Sequence, residues 1–296
     1  MKVLITGVNG FIGQHLTRAL INKNYSVIGI GRSKTSFIPE IKYYSGSVLD
    51  KKIIIKAIKN VDAVVHLAAL TAHQDIVDNK FKALEINFFG TKNLLDAFVT
   101  TKSAKKFLYA STGKVYGKIK NLPISEDHQA APLNILGKSK LITEKLIDFY
   151  SSSKKKFIIF RIFNVFGPGQ ANNFLIPTIL NQLDSNKNEI VLGDIEAKRD
   201  YIYIDDVINA FVLALEKKNL TGISIYNICT GVGTSAATII KMISKIKKMA
   251  LSIKSNSSLF RQDEMGEEYG SYALAKREFN WTPKLTLAEG INKLLK

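Results

Sequence analysis

The sequence has a single cysteine, few arginines and no long apolar stretch, and each shortage excludes a class of protein. Cys229 has no partner for a disulfide within the chain, which excludes a disulfide-rich scaffold and favours a reducing compartment. No apolar run approaches the roughly 20 residues that cross a bilayer, and the N-terminal residues MKVLITG lack the pattern of a signal peptide. We therefore expect a cytoplasmic protein without a membrane partner.

Positive charge, by contrast, is present in excess. The 296 residues include 42 Lys and Arg against 25 Asp and Glu, which gives a formal net charge of +17. Only six of the basic residues are arginines, namely Arg18, Arg32, Arg161, Arg199, Arg261 and Arg277. The planar guanidinium suits bidentate recognition of phosphates and bases, so an excess made of lysine favours a solvated surface over nucleic-acid binding. We expect no nucleic-acid partner.

Apolar segments alternate with helical patterns over the first 165 residues. Strands are predicted at 2–6, 25–30, 61–67, 106–110 and 157–163, and helices at 11–21, 81–99 and 141–150. Continuous apolar strands separated by helices are typical of a parallel sheet that is covered on both faces. The sequence therefore predicts an α/β protein with a doubly wound, Rossmann-type parallel sheet.

After about residue 165 the alternation becomes less regular. Three prolines interrupt it, and short strands such as 223–228 are mixed with helices. We predict a dinucleotide-binding domain at 1–165 and a mostly substrate-binding region at 166–296 that interleaves with the sheet. Open parallel sheets bind ligands outside the carboxyl ends of their strands, so the second region is expected to pack there.

The turn after the first predicted strand contains three evenly spaced glycines. In TGVNGFIG (6–13), the first glycine permits a tight turn and the second lets the backbone approach a pyrophosphate. The third lets the following helix pack closely, with its N-terminus facing the phosphates. The strand, turn and helix context predicts a dinucleotide site formed by Gly7, Asn9, Gly10, Phe11, Ile12 and Gly13.

The end of the second strand lacks the acidic residue that NAD-specific sites use to bind the ribose hydroxyls. The segment GIGRSK (29–34) places Arg32 and Ser33 there instead. Because a guanidinium binds phosphate oxygens bidentately, this segment favours NADP, which carries a 2′-phosphate. The alternative is that Arg32 is an exposed loop cation, and NAD then stays possible.

Several motifs in a fixed order carry a family resemblance. Besides TGVNGFIG they are VVHLAA (64–69), Asn87 with Gly90-Thr91, STGKVYG (111–117), GKSK (137–140), RIFNVFGPGQ (161–170), RDYIYIDDV (199–207) and YNICTG (226–231). With them the chain resembles the extended short-chain dehydrogenase/reductase family, in particular its nucleotide-sugar epimerase, dehydratase and reductase branch. The resemblance implies a nucleotide-diphosphate sugar as substrate and a homodimer formed through helices near 81–99 and 141–150.

The resemblance also implies roles for individual positions. Thr112 takes the place of the residue that bonds the reacting sugar oxygen, and Lys140 that of the lysine that holds the nicotinamide ribose. Further cofactor contacts are implied for Ser47, Val48, Leu67, Ala68, Ala69 and Phe163. Substrate contacts are implied for Thr71, Ser111, Asn164 and Asn173, and diphosphate binding for Arg199 and Arg261. The four histidines show no metal-binding spacing, and no metal is expected.

The resemblance fails at the residue that carries the proton chemistry. The family has a tyrosine four residues before its lysine, but Leu136 occupies this position, and no tyrosine lies between Tyr116 and Tyr150. That tyrosine is the general acid/base that exchanges a proton with the sugar oxygen, and leucine has no exchangeable proton. The Asp-Glu pair of the dehydratases is also replaced, by Gly113-Lys114, which disfavours dehydration.

Three functions stay open at this point. The first is an NADP(H)-dependent reductase of a nucleotide-activated 4-ketosugar in deoxysugar biosynthesis, which needs only one proton from Thr112, Lys140, another tyrosine or water. The second is an NAD-dependent nucleotide-sugar 4-epimerase, for which the missing base is a greater obstacle. The third is a catalytically inactive protein that binds a nucleotide sugar or a cofactor.

Overall fold

The computed structural model describes the chain except for residues 72–75, 77, 120, 152–153, 186–187, 219–221 and 261–265. Seven strands, numbered by their place in the chain, form the central sheet: β1 (Lys2–Thr6), β2 (Ser26–Gly31), β3 (Lys42–Ser45), β4 (Ala63–His66), β5 (Lys106–Thr112), β6 (Lys156–Ile162) and β10 (Gly222–Ile228). Their order is β10-β6-β5-β4-β1-β2-β3, and every neighbouring pair is parallel. The predicted doubly wound parallel sheet is thus confirmed.

Helices cover both faces of this sheet. They are α1 (Phe11–Asn22), α2 (Lys51–Ala57), α3 (Lys80–Leu84), α4 (Gly90–Thr100), α5 (Ile135–Tyr150), α6 (Leu175–Asp184), α7 (Ile204–Glu216), α8 (Ala236–Lys247), α9 (Ala273–Phe279) and α10 (Leu287–Leu294). Alternate residues of β1 face opposite cores, with Val3 and Ile5 in one and Leu4 in the other. In the described part of the chain, no helix combines the length and apolar content that crossing a membrane requires.

The strand order reverses at β1. The chain runs outward from β1 through β2 to β3, and then returns to build β4, β5, β6 and β10 on the other side. The loops that follow β1 and β4 therefore diverge at the carboxyl edge of the sheet. Such a switch point leaves a crevice in which open α/β sheets bind their ligands.

The predicted helix at 81–99 is interrupted by a wider turn. A π-helical segment, Glu85–Phe89, connects α3 to α4. Asn87 lies in this segment and is 1% exposed, with its side chain directed at the backbone of the segment after β4. π-helical turns are frequently found at functional sites, and here the turn brings an amide to the edge of the crevice.

Helix α5 begins six residues before the predicted start at 141. The Asn134 side chain accepts the backbone N–H of Gly137 at 2.8 Å and caps the helix. Glycine and serine in GKSK are weak helix formers, which explains why the apolar pattern placed the start too late. As a result, Leu136 and Lys140 lie on the first two turns of α5.

The second half of the chain builds two smaller sheets. Strands β7 (Asn164–Phe166), β9 (Lys198–Tyr203), β11 (Gly233–Ser235) and β13 (Glu267–Glu268) form one, and β8 (Glu189–Leu192) pairs with β12 (Ser252–Ser255) in the other. The predicted strand at 223–228 is β10, which joins the central sheet beside β6. The second half of the chain therefore contributes both to the central sheet and to the two smaller sheets. The division into two domains at residue 165 stays a prediction.

Candidate active site

The turn between β1 and α1 leaves no room for side chains at two of its glycines. Gly7 has a φ of +71°, and a Cβ on it would lie 2.8 Å from the backbone nitrogen of Ala68. A Cβ on Gly13 would lie 2.2 Å from the carbonyl oxygen of Gly7. Gly10 is the N-cap of α1 and has no side chain to cap the helix, so the first amides of α1 are left to face the crevice. This narrow cradle fits the pyrophosphate of a dinucleotide.

A buried hydrogen-bond chain ties this turn to the segment after β4. The Thr91 hydroxyl donates to the carbonyl of Asn87 at 2.6 Å, so it accepts from Nε2 of His66 at 2.8 Å. Nδ1 of His66 then accepts from the Thr6 hydroxyl at 2.6 Å, which itself accepts from the backbone of Ala68. Burial, and then the Lys140 charge, lower the pKa of His66 to about 3, so the ring is neutral.

Asn87 extends the chain to helix α5. Its side chain accepts the backbone N–H of Leu70 at 2.7 Å and donates to the Leu70 carbonyl at 3.1 Å. It also donates to the Ser139 hydroxyl at 3.1 Å, and that hydroxyl donates to the carbonyl of Leu136 at 2.9 Å. The segment 67–70 is therefore fixed between the glycine turn and the first turn of α5.

Lys140 is buried beneath the end of β5. Its ammonium donates to the carbonyl of Ala110 at 2.6 Å and lies 4.6 Å from the centre of the Tyr109 ring. Burial lowers the pKa of Lys140 to about 7, although the nearby Glu144 carboxylate acts in the opposite direction. Near neutral pH this lysine exchanges its proton far more readily than an exposed lysine does.

Thr112 and Leu136 lie on either side of the turn Gly113–Val115. Thr112 ends β5, and its hydroxyl accepts the backbone N–H of Lys114 at 3.2 Å, so its own O–H is left to donate. The first turn of α5 packs on the same segment, since a Cβ on Gly137 would lie 2.4 Å from the carbonyl oxygen of Lys114. Leu136 is half-buried in this first turn.

An ion pair supports this region from below. The Arg161 guanidinium binds the Glu144 carboxylate at 2.7 Å, and both side chains are almost completely buried. Ser111 donates to the same carboxylate, so Glu144 links β5, α5 and β6. Burial acts to lower the pKa of Arg161, but its bonds to Glu144 raise it above the ordinary value. The pair therefore stays charged, and its carboxylate engages the Ser111 hydroxyl.

A second charged cluster joins the turn after β5 to the predicted diphosphate site. Glu268, 1% exposed on β13, lies 3.7 Å from Nε of Arg199 and accepts a hydrogen bond from Lys114. Arg199 is on the neighbouring strand β9 and is 8% exposed. Asn164 on β7 donates to the carbonyl of Asp200 at 3.0 Å. Arg199 and Asn164 are thus brought together on one small sheet.

The fold and these positions agree with a family model. The family model described as "NAD dependent epimerase/dehydratase family" matches residues 3–229 of this chain. The chain belongs to the NAD dependent epimerase/dehydratase family. This confirms the family that the motifs indicate.

Relatives with different activities have the same architecture. The chain is 31% identical to dTDP-4-dehydro-6-deoxyglucose reductase of Escherichia coli, over 99% of this chain and 96% of that protein. Among solved structures, UDP-glucose 4-epimerase of Thermotoga maritima with UDP-glucose is 28% identical, covers 100% of both chains and has a TM-score of 0.89. RMD of Pseudomonas aeruginosa with NADPH is 27% identical, covers 99% of this chain and 97% of that one, and has a TM-score of 0.86.

The other predicted residues of this epimerase/dehydratase family member differ in their exposure and in their contacts. Arg32 is exposed after β2, and Asn9 holds the loop behind it. Ser47 accepts the backbone N–H of Leu49, and Val48 packs against Gly90. Phe163 packs against Gly113, and Thr71 and Asn173 are exposed. Arg261 lies outside the described residues.

The buried charged residues that contact the predicted site residues were not identified from the sequence. Arg161 opens the motif RIFNVFGPGQ, whereas Glu144 lies in none of the quoted motifs, and only the fold shows their pairing. The spacing of Lys140 and Glu144, four residues apart on one helix, was the available signal. Glu268 gave no signal, because its partners are distant in sequence. In the described part of the chain, no group of three or more His, Cys, Asp or Glu is placed to hold a metal.

Proposed function

We propose that this protein is an NADP(H)-dependent reductase of a nucleotide-activated 4-ketosugar. The observation that carries the proposal is the start of α5, where Leu136 occupies the position predicted for the general acid/base and the buried Lys140 follows one turn later, with the Thr112 hydroxyl at the end of β5. Reduction of a ketone needs one proton on the developing alkoxide, whereas epimerisation needs a group that first removes a proton and then returns it. The similarity to a dTDP-4-dehydro-6-deoxyglucose reductase supports this choice.

The cofactor would be held by the glycine turn and by Lys140. Gly7, Gly10 and Gly13 would hold the pyrophosphate, and Lys140 would hold the ribose next to the nicotinamide. Arg32, exposed at the end of β2, would meet a 2′-phosphate. When bound, the nicotinamide supplies the hydride for the reduction.

The remaining groups polarise the ketone and supply the proton. The Thr112 hydroxyl would donate to the sugar oxygen, and the Lys140 charge would stabilise the alkoxide as it forms. Because burial lowers the pKa of Lys140 to about 7, its ammonium would also be able to release a proton, through water, to that oxygen near neutral pH. Two buried tyrosines nearby are poor substitutes, because burial raises the pKa of Tyr109 and Tyr116, and Tyr116 donates to Asn227 at 2.6 Å.

The test is a reduction assay with NADPH and nucleotide 4-keto-6-deoxyhexoses that carry UDP, GDP or dTDP. We expect loss of NADPH absorbance with at least one of them, and slower turnover with NADH. The control is Thr112→Val, which removes the hydroxyl at nearly constant volume. Absence of turnover with all three substrates, in protein shown to bind NADPH, would contradict the reductase proposal.

A nucleotide-sugar 4-epimerase is the second candidate, because the Thermotoga maritima epimerase structure superimposes over the whole chain. Its signature would be NAD that co-purifies with the protein and interconversion of UDP-hexoses without added cofactor. If neither activity is found while the nucleotide sugar binds, the third function, a binding protein without catalysis, is favoured.

We further propose that two copies associate through α3, α4 and α5. Phe81 on α3 and Phe149 on α5 are 87% and 84% exposed, and Phe89 and Ile142 beside them are about half exposed. Such a concentration of exposed apolar side chains is typical of an interface, and a second copy would bury it. Phe149→Glu should convert a dimer to a monomer in light scattering, while Ile55→Glu on α2 should not. A wild-type monomer would contradict the proposal.

A further inference from the structure

The loop after β2 is held in place from two sides. On the β3 side, the Ser33 carbonyl accepts hydrogen bonds from the Tyr43 hydroxyl at 2.7 Å and the Ser45 hydroxyl at 2.9 Å. On the side of the glycine turn, Asn9 donates to the carbonyl of Thr35 at 2.9 Å and accepts the N–H of Phe37 at 3.0 Å. The backbone that carries Arg32 is therefore fixed before any ligand binds.

Tyr43 also fills the space beside the last residue of β2. A Cβ on Gly31 would lie 2.9 Å from the Tyr43 hydroxyl oxygen, while the next nearest atoms, two ring carbons, would lie at 3.4 and 3.6 Å. Only the hydroxyl is too close, since contacts beyond about 3.4 Å are ordinary for carbon atoms. A side chain at position 31 is thus opposed by a single oxygen atom of Tyr43.

Position 31 faces the cofactor side of the sheet. Side chains two residues apart on a strand share a face, and a Cβ on Gly29 would lie 2.7 Å from a methyl group of Val8 in the glycine turn. A side chain on residue 31 would point toward the same turn, one step nearer the carboxyl edge. This is the end of the second strand, where NAD-specific sites place the carboxylate that binds the ribose hydroxyls.

We propose that Tyr43 is a specificity-determining residue for the cofactor. Its hydroxyl excludes a carboxylate from position 31, and it holds the Ser33 carbonyl so that Arg32 is presented to a 2′-phosphate. Burial raises the pKa of Tyr43, so this hydroxyl keeps the proton that it donates. The inference rests on the proposed preference for NADP, and it adds that the preference is built into β3 as well as into the loop that bears the arginine.

The experiment measures dissociation constants of NADP⁺ and NAD⁺ for the wild type, Tyr43→Phe, Gly31→Asp and the double variant. Tyr43→Phe removes one of two bonds to Ser33, so we expect NADP⁺ binding to weaken about five-fold, as for a single net hydrogen bond. Gly31→Asp alone should weaken both cofactors. Adding Tyr43→Phe to Gly31→Asp should restore room for the carboxylate and improve NAD⁺ binding about ten-fold or more over Gly31→Asp.

Ser45→Ala is the matched control, because it removes the other bond to Ser33 without opening space at residue 31. Combined with Gly31→Asp, it should not improve NAD⁺ binding. The inference is overturned if Gly31→Asp binds NAD⁺ as well alone as with Tyr43→Phe, in variants whose thermal unfolding shows a folded protein. Equal wild-type affinity for NADP⁺ and NAD⁺ would overturn the proposed cofactor preference instead, so the two failures are distinguishable.

Discussion

The glycine turn after β1 and the first turn of α5 are built alike, but they differ in which residues of their motifs are present. In each, a glycine packs so closely on a carbonyl oxygen that no side chain fits: a Cβ would lie 2.2 Å from that oxygen at Gly13 and 2.4 Å from it at Gly137. The glycine turn keeps every residue of its motif. The α5 turn has its cap and its buried lysine, but has Leu136 at the position for which the family resemblance predicts the proton-transferring side chain.

The difference separates residues that the fold needs from residues that only the chemistry needs. A side chain on Gly13 would displace the turn itself, so this turn requires glycine at residue 13. Nothing in the packing of α5 requires a hydroxyl at residue 136, where a half-buried leucine is accommodated without loss of the neighbouring hydrogen bonds. The packing of α5 therefore does not determine which side chain residue 136 carries.

The largest expected effect comes from breaking the glycine turn. Gly13→Ala forces apart α1 and the Gly7 carbonyl, and we expect NADP⁺ affinity to fall by about 100-fold or more, the equivalent of roughly 3 kcal/mol. Gly10→Ala is the control, since its Cβ would lie 3.1 Å from the same oxygen and needs only a small shift. Isothermal titration would measure both, and equal affinities for the two variants would contradict the steric account.

A smaller effect is expected from restoring the missing acid on α5. Leu136→Tyr adds a phenol on an intact frame, and we expect kcat of the reductase to rise about 100-fold, the lower end of the range for general acid catalysis. Leu136→Phe supplies the same ring without the hydroxyl and should leave the rate near that of the wild type. If the tyrosine and phenylalanine variants turn over equally, another proton donor already suffices in the wild type.

The sequence predicted the central sheet and the glycine turn because their signals are local. Alternating apolar strands and helices indicated the sheet, and three glycines in strand, turn and helix context indicated the cradle. The π-helical turn at Asn87 was missed because the Asn87 side chain bonds to the backbone of Leu70, 17 residues away. The early start of α5 was missed because its cap, Asn134, precedes residues that are weak helix formers. The contacts of Glu268 with Lys114 and Arg199 join three segments that are far apart in sequence, and no spacing rule connects them.

The smallest expected effect concerns the free energy of unfolding and its dependence on pH. Lys140 has a pKa of about 7 in the folded protein against an ordinary value of 10.5. Between these values the unfolded chain binds a proton at this lysine that the folded chain does not, so the folded state gains stability as the pH rises, by at most about 1.4 kcal/mol per pH unit. Lys140→Met removes this contribution, so the wild type should gain more stability than the variant between pH 7 and 9.

Because burial also lowers the pKa of Lys106 and Lys155, the informative quantity in urea unfolding is the difference between the two proteins. Parallel pH dependences would show that Lys140 stays protonated in the folded state, and the proton relay through it would then be excluded.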